Sequence, residues 1–355
     1  MPLQPGPLTE PLVRQILDLY AQAENALLTT IANRLAEGLD RPDWADRQLL
    51  AMQRFREEAE VVLGKLQAGI PLTANETARM AVNRGAAVAQ AEIGAAGKAI
   101  APAVLSTGSV GGAVDTFALA AAAADLTHTL DATRPQIYRS VNDIYRQVVA
   151  RASAPAMLGA QTQREAAAQA LNEFAARGIT GFVDSRGRQW ELQSYVDMAS
   201  RSSLMNASIE GHNAKLVSAG FDLVIVSDVP QECERCRPWE GKVLALKPDG
   251  QHRSLAEARS AGLYHPGCRH SHALYVPGRT RSFGETADPQ GAKDREKLRY
   301  LERQVRASKR QQAAALDDEA RKVAKARVRA YQAKIREHVD TTSAKRVPWR
   351  ERIHG

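Results

Sequence analysis

Apolar residues recur at three- and four-residue steps through the first part of the chain. Val13, Ile16, Leu17, Tyr20, Leu27, Ile31 and Leu35 predict one amphipathic helix of about seven turns, with Thr9 as its N-cap, Pro11 in the first turn and Gly38 past its end. A second helix is predicted from about Asp43. Leu49, Met52, Ala59, Leu63 and Leu66 lie along one side of it, and Gly69 and Pro71 are expected to close it, so that the pair makes a helical hairpin. Residues 76–131 are rich in Ala and Gly and offer little apolar bulk per residue. Helices are expected over about 76–92 and 116–131, with a flexible connector near Ser106 to Gly112. Ile137, Val141, Ile144 and Val148 then repeat at helical spacing behind a Thr133 cap and Pro135, and a further helix is expected from about Gln163 to Gly178.

At Ile179 the pattern shortens. Thr180 to Val183 and Gln189 to Leu192 predict two short strands around the turn Asp184-Ser-Arg-Gly-Arg188. A helix over about Gln193 to Ala219 precedes Phe221 to Ser227, the strongest strand signal in the chain. Val243 to Leu246 reads as another strand, with Trp239-Glu-Gly-Lys and Pro248-Asp-Gly-Gln as turns. Beyond Pro289 a polar helical pattern continues to about His338, about 70 Å if unbroken. Its stripe of Leu298, Leu301, Val305, Leu316 and Val323 is gapped by alanines and lacks sustained heptads, which excludes a coiled coil. The end around Pro348, with cations from Lys345 to Arg352, is expected to be mobile. The fold class is therefore mainly α with a small α+β domain. The expected parse is a helical module over 1–135, connecting helices over 136–178, an α+β domain over 179–280 and a basic helical tail over 281–355.

Composition changes this picture little: among 355 residues, 44% hydrophobic and 25% charged is globular, and 5% aromatic leans it toward helix. The length suits more than one domain. The longest uncharged run, Ala99 to Val114, carries Pro102 and three glycines and falls short of the roughly 18 residues that a spanning helix needs, so no membrane span is expected. Met1 to Thr9 has no cationic segment followed by an apolar run and does not read as a secretory signal. Three cysteines are too few for a disulfide scaffold and suit a reducing cytoplasm.

Charge is more informative once located. The net charge is +8, yet residues 286–355 alone carry 19 Lys+Arg against 10 Asp+Glu, so the whole excess lies in the last fifth. Such segregation points to a polyanion, double-stranded DNA first. Lys309, Arg310, Arg321, Lys322, Lys325, Arg327, Arg329, Lys345 and Arg346 are the expected contacts. Interspersed acidic residues leave a merely solvated charged helix as the alternative.

All three cysteines fall between 233 and 268, as Cys233-Glu-Arg-Cys236 and then His265-Pro-Gly-Cys268-Arg-His270-Ser-His272. A two-residue gap lets two ligands point inward from one tight turn, and two such knuckles complete a tetrahedron. Cys233, Cys236, His265 and Cys268 are thus the expected ligands of a structural zinc ion (Zn2+), with His270 as the rival for the fourth position. Pro266 favours an extended His265 and Gly267 permits the turn to Cys268. Arg235, Arg237 and Arg269 stand beside the ligands and can offset the charge of three thiolates. The other reading is a set of buried cysteines and hydrogen-bonded histidines that fasten the last strand without metal.

Four protein ligands leave no open position, so no catalytic metal is expected. A zinc deaminase needs a His-x-Glu upstream, which is missing. A His-Asn-His type nuclease lacks its Asp-His pair. The Gly-x-x-x-x-Gly-Lys-Ser/Thr loop, the Gly-x-Ser-x-Gly elbow and His-Glu-x-x-His are absent from the sequence, and Gly108-Ser-Val-Gly-Gly112 follows no strand. No catalytic residue set emerges and the chain is not expected to be an enzyme.

Three segments carry a family resemblance: Trp190-Glu-Leu-Gln-Ser-Tyr195-Val-Asp-Met198-Ala-Ser-Arg201; Val226-Ser with Cys233-Glu-Arg-Cys236-Arg-Pro-Trp-Glu-Gly241-Lys-Val243; and Tyr264-His265-Pro-Gly-Cys268-Arg-His270. In order and spacing they resemble the phage minor capsid protein 2 family, and the Cys-x-x-Cys, Gly-Lys-Val and His-Pro-x-Cys-Arg part is similar to the broader Mu F-type head morphogenesis domain. The likeness covers about residues 175–280. It implies a tailed-phage virion protein present in few copies, inside the head near the portal vertex and in the host cytoplasm during assembly. The implied partners are the portal protein, the major capsid or scaffold protein and, through the basic tail, the packaged DNA, with a part in packaging or ejection. The 1–135 helices are then the expected portal-docking module. Gly267 stands where many relatives have Asn, which keeps the turn and removes one side-chain hydrogen bond. Other readings are a virion-delivered nuclease or ADP-ribosyltransferase, and a free zinc-containing DNA-binding module.

Overall fold

The computed structural model describes residues 5–97, 116–157, 161–180, 182–183, 189–229, 235–280 and 288–353. The Ser106 to Gly112 connector and Cys233 lie outside them. Helices dominate: α1 (Pro5–Ala36), α2 (Trp44–Leu50), α3 (Met52–Gly97), α4 (Thr116–Asp131), α5 (Arg134–Met157), α6 (Gln163–Arg177), α7 (Leu192–Ser218), α8 (Leu255–Ser260), α9 (Pro289–Ala313) and α10 (Asp318–Thr341). A two-stranded pair, β1 (Phe182–Val183) with β2 (Gln189–Trp190), and a three-stranded antiparallel sheet of β3 (Leu223–Val226), β4 (Val243–Ala245) and β5 (His272–Leu274) complete it. The chain is mainly α with a small sheet, as the sequence predicts. No described helix is long and apolar enough to cross a membrane.

The described chain forms two compact units. One comprises Met1–Ile16, Pro71–Thr129 and Asp197–Ala292; the other comprises Leu17–Ile70, Leu130–Val196 and Lys293–Gly355. Their boundaries fall inside α1, α3, α4, α7 and α9.

The first unit holds the sheet, in the order β4-β3-β5, with Ile225 opposite Val243 on one side and Ala273 on the other. Val224, Ile225 and Val226 are all buried, which is why β3 reads as an unbroken apolar run and not as an alternation. Its core joins Val224, Val226, Leu244 and Leu274 to Ile209 and Leu216 of α7 and to Ala89 and Ile93 of α3. Glu92 ties these layers together: its Oε2 accepts from the Leu274 amide at 2.9 Å and lies 2.9 Å from His212 Nε2. The small residues of the Ala/Gly-rich region serve a close helix crossing. A Cβ on Gly85 would lie 1.8 Å from the Ser208 carbonyl oxygen, and one on Gly211 would lie 2.1 Å from that of Val82.

In the second unit Trp44 is fully buried and donates from Nε1 to the Leu35 carbonyl at 3.0 Å. The Phe55 and Tyr145 rings stack at 4.4 Å, and the Tyr145 hydroxyl donates to Gln48 Oε1. The Tyr20 hydroxyl donates to the Leu130 carbonyl at 2.8 Å. Thr162 and Glu165 form a reciprocal capping box at the start of α6, satisfying amides the first turn leaves unpaired.

Four expectations about element ends need correction. Thr9 is not a cap; it is buried inside α1, which starts at Pro5. Gly69 and Pro71 do not end a helix, because α3 runs through both for 46 residues. Pro71 is exposed, and the carbonyl it deprives of an amide belongs to exposed Gln67, so hydration offsets the lost bond. Meanwhile Phe55, Ala59, Leu63, Leu66, Ile70, Ala74 and Ala78 keep one face buried on both sides of the proline, and tertiary burial outweighs local propensity.

The tail is not one rod either. The chain breaks after α9, and Asp317 caps α10, its carboxylate accepting from the Ala320 amide at 2.7 Å. Leu298, Leu301 and Val305 then pack with Val328 and Ile335. His338 Nε2 lies 2.7 Å from the Asp294 carbonyl, which brings the end of α10 beside the start of α9 as an antiparallel hairpin. Finally, the Lys345 to Arg352 end is anchored, not loose. Arg346 donates to Glu351 at 2.6 and 2.8 Å, Arg306 donates to the Arg350 carbonyl at 2.9 Å, and Glu351 is buried.

Candidate metal centre

Two tight turns in the sheet-bearing unit present the sulfur and imidazole groups. After β3 the chain returns through Cys236, whose carbonyl accepts from the Trp239 amide at 2.9 Å across a short 3-10 turn, Arg237–Trp239. Trp239 is buried in the core and so fixes that turn against it. On the far side of α8, Tyr264 adopts φ 62, and the Cys268 amide donates to the His265 carbonyl at 2.8 Å. Pro266 and Gly267 are the central pair of this turn, and Gly267 has φ 81, a left-handed conformation that glycine adopts without steric cost.

These turns bring donor atoms of Cys236, His265 and Cys268 within 4.8 Å of one another, the only such group among the described residues. Cys236 Sγ and Cys268 Sγ are 3.5 Å apart. Cys236 is fully buried, whereas His265 and Cys268 are half-buried, so the group opens toward solvent on the side of the second turn. His265 Nδ1 lies 2.9 Å from the Pro266 carbonyl.

His270 stands at the edge of the group. Its backbone amide donates to Cys268 Sγ at 3.3 Å, its Nδ1 is 3.5 Å from the same sulfur, and its Nε2 is 2.5 Å from Glu240 Oε1. That same Glu240 oxygen accepts from the Val229 amide at 3.1 Å. Cys236 beside Cys268, and then the bonds from His270, pull the Cys268 thiol down to about 4 against the opposing effect of burial. Burial lowers the affinity of His270 for a proton, but its contacts with Cys268 and Glu240 outweigh that and raise its pKa.

The sequence-predicted residues thus divide. Cys236, His265 and Cys268 converge as a set with the chemistry of a metal-binding site, and His270 adjoins it. His272 is not part of the group. It begins β5, fully buried, with Nδ1 2.6 Å from the Tyr264 hydroxyl and Nε2 2.7 Å from Asn213 Oδ1; burial and then neighbouring His212 push its pKa well down. Arg235, Arg237 and Arg269 are exposed. Glu240 went unnoticed in the sequence, where it sits in an ordinary turn motif with no signal that it reaches a histidine thirty residues on.

In the tail, Arg321, Lys322, Lys325, Arg327, Arg329 and Lys345 are exposed. Arg321 pairs with Asp318 at 2.7 Å and Lys322 with Glu319 at 3.8 Å. Three expected DNA contacts are placed otherwise. Arg310 is only 2% exposed, donating to Glu191 at 2.5 Å and to the Ala175 and Ala176 carbonyls, so it cannot face a polyanion. Arg346 is occupied by Glu351, and Lys309 is half-buried near that carboxylate.

No curated protein and no solved structure matches the chain. The family model described as phage minor capsid protein 2 matches residues 3–340, nearly the whole length and far beyond the 175–280 segment in which the motifs lie. Such membership implies a place in the virion among phage structural partners. On a match of this extent, the chain belongs to the phage minor capsid protein 2 family.

Proposed function

We propose that the chain is a structural, non-enzymatic head protein that docks on the portal vertex from inside the capsid, with zinc fastening its sheet and α10 facing packaged DNA during packaging or ejection. The observation that carries the docking role is a set of large apolar side chains left in solvent within the 1–135 region. Leu50 is 83% exposed, Val61 59% and Leu49 55%, in a protein whose other leucines are mostly buried. Leu49 and Leu50 are adjacent at the end of α2, and contiguous exposed apolar patches mark partner surfaces.

The zinc role is supported by Cys236, His265 and Cys268, soft donors that suit that ion and whose bridging of two turns converts binding free energy into folding free energy. The DNA role is supported by exposed cations on α10 that no carboxylate among the described residues engages, Lys325, Arg327 and Arg329 among them. Co-expression with the portal protein of the same phage, followed by size-exclusion chromatography, tests the docking role. Co-elution that survives Leu49→Asp with Leu50→Asp in the full chain would remove this surface from the interface, and absence of co-elution by the unaltered chain would remove the portal role itself.

A further inference from the structure

The fourth ligand of the metal decides its charge, coordination and pH response, and the sequence leaves Cys233 and His270 as rivals. We propose that the centre is a two-sulfur, two-nitrogen site of Cys236, Cys268, His265 and His270, with Glu240 as the outer carboxylate that orients His270. This deepens the zinc reading above and rests on it.

Distances carry the first part. With zinc–sulfur bonds of about 2.3 Å and zinc–nitrogen bonds of about 2.0 Å, the edges of a tetrahedron are about 3.7 Å between two sulfurs and about 3.5 Å between sulfur and nitrogen. Cys236 and Cys268 sulfurs are 3.5 Å apart, and Cys268 sulfur and His270 Nδ1 are also 3.5 Å apart. Both pairs already stand at ligand-to-ligand separation. His270 stands outside the group whose donor atoms all lie within 4.8 Å of one another, so its ring has to move about the Cys268 edge to join Cys236 and His265.

Hydrogen bonding carries the second part. An ionised carboxylate only accepts, so the contact of Glu240 with Nε2 places the proton of a neutral ring there and turns the Nδ1 lone pair toward Cys268. His265 is set in the mirrored sense, because a carbonyl also only accepts. Its Nδ1 proton is held by Pro266, which leaves Nε2 as the donor atom. Ligating histidines are oriented in this way, with the nitrogen away from the metal bonded to a carboxylate or a backbone carbonyl. Glu240 is itself held by the Val229 amide, so it braces the strand leading out of β3 and the second turn together. Ion and donors together are then neutral: two thiolates balance one divalent ion, with no need for the exposed Arg235, Arg237 and Arg269 to offset a third.

X-ray absorption on the full chain loaded with one equivalent of Zn2+ reads the donor set directly, since sulfur and nitrogen shells differ by about 0.3 Å. Two sulfurs with two imidazoles are expected, whereas three sulfurs would overturn the proposal and give the position to Cys233. A chain that binds no zinc would overturn the zinc reading and this inference with it. Variants separate the two further. Cys233→Ser is expected to keep one zinc per chain, and His270→Ala to lose an imidazole from the spectrum. Glu240→Gln is expected to weaken zinc about 10- to 100-fold in chelator competition while keeping the same shells; an unchanged affinity would remove Glu240 from the site.

Discussion

Gly85 of α3 and Ser208 of α7 meet backbone to backbone, with no room for even one methyl group between them. The crossing is completed by Gly211 against Val82, and the two contacts fix how α7 delivers its buried face to the sheet. Gly85→Ala and Gly211→Ala are therefore expected to cost about 3 kcal/mol or more, because backbone has to move to admit the methyl. Gly64→Ala, also in α3 but with nothing within 4 Å of its Cβ position, is expected to gain about 0.5–1 kcal/mol from helix propensity. Thermal melts of the three variants check this, and equal effects would refute the crossing.

Arg310 is the second sharp case. Its guanidinium stands between Glu191 and Glu24, the latter 3.8 Å away and 1% exposed. Removing it as Arg310→Met leaves the buried Glu24 carboxylate without a cation and Glu191 with only Arg306, 3.6 Å away, at an expected cost of about 3–5 kcal/mol. Burial already raises the pKa of Glu24. A carboxyl whose folded pKa exceeds its unfolded one binds more protons when folded, so stability rises as pH falls through that window. The variant is thus expected to recover part of its loss in mildly acidic buffer. Denaturant midpoints of the variant at two pH values read this, and a loss independent of pH would contradict it.

For DNA, the hairpin sorts the cations. Lys325, Arg329 and Arg336 are exposed and lie along one stripe of α10, each next in sequence to the buried Ala324, Val328 and Ile335 and so about 100° round the helix from them. Neutralising Lys325 and Arg329 to Gln is expected to weaken duplex binding for every sequence and to reduce the slope of log K against log salt by about 2. Arg346→Gln, where the side chain is already engaged by Glu351, is expected to leave the slope unchanged. Filter binding across a salt series decides between them, and the opposite ranking would place DNA elsewhere.

Much of this fold is legible in the sequence because periodic burial and turn chemistry agree there. The Gln163–Arg177 helix shows both its capping box and its terminal Gly178, and the β3 run is apolar on both faces. Legibility fails where a distant contact overrules a local signal. Pro71 looks like a stop, but the helix continues because the stripe beyond it stays buried. The break before Asp317 looks like ordinary polar helix until Val328 and Ile335 are seen to fold back on Leu301 and Val305. Charge composition likewise marks a basic tail but cannot show that Arg310 is buried in it. In the Cys/His group, the spacing of Cys236, His265 and Cys268 announces convergence, whereas Glu240 reaches His270 through a fold contact that no motif encodes.

Zinc content measured on the purified full chain, together with its melting curve before and after chelation, bears most directly on the account. One zinc per chain, removed by chelator with a clear fall in melting temperature, is the expected result. A chain that carries no zinc and melts identically with and without chelator would contradict it.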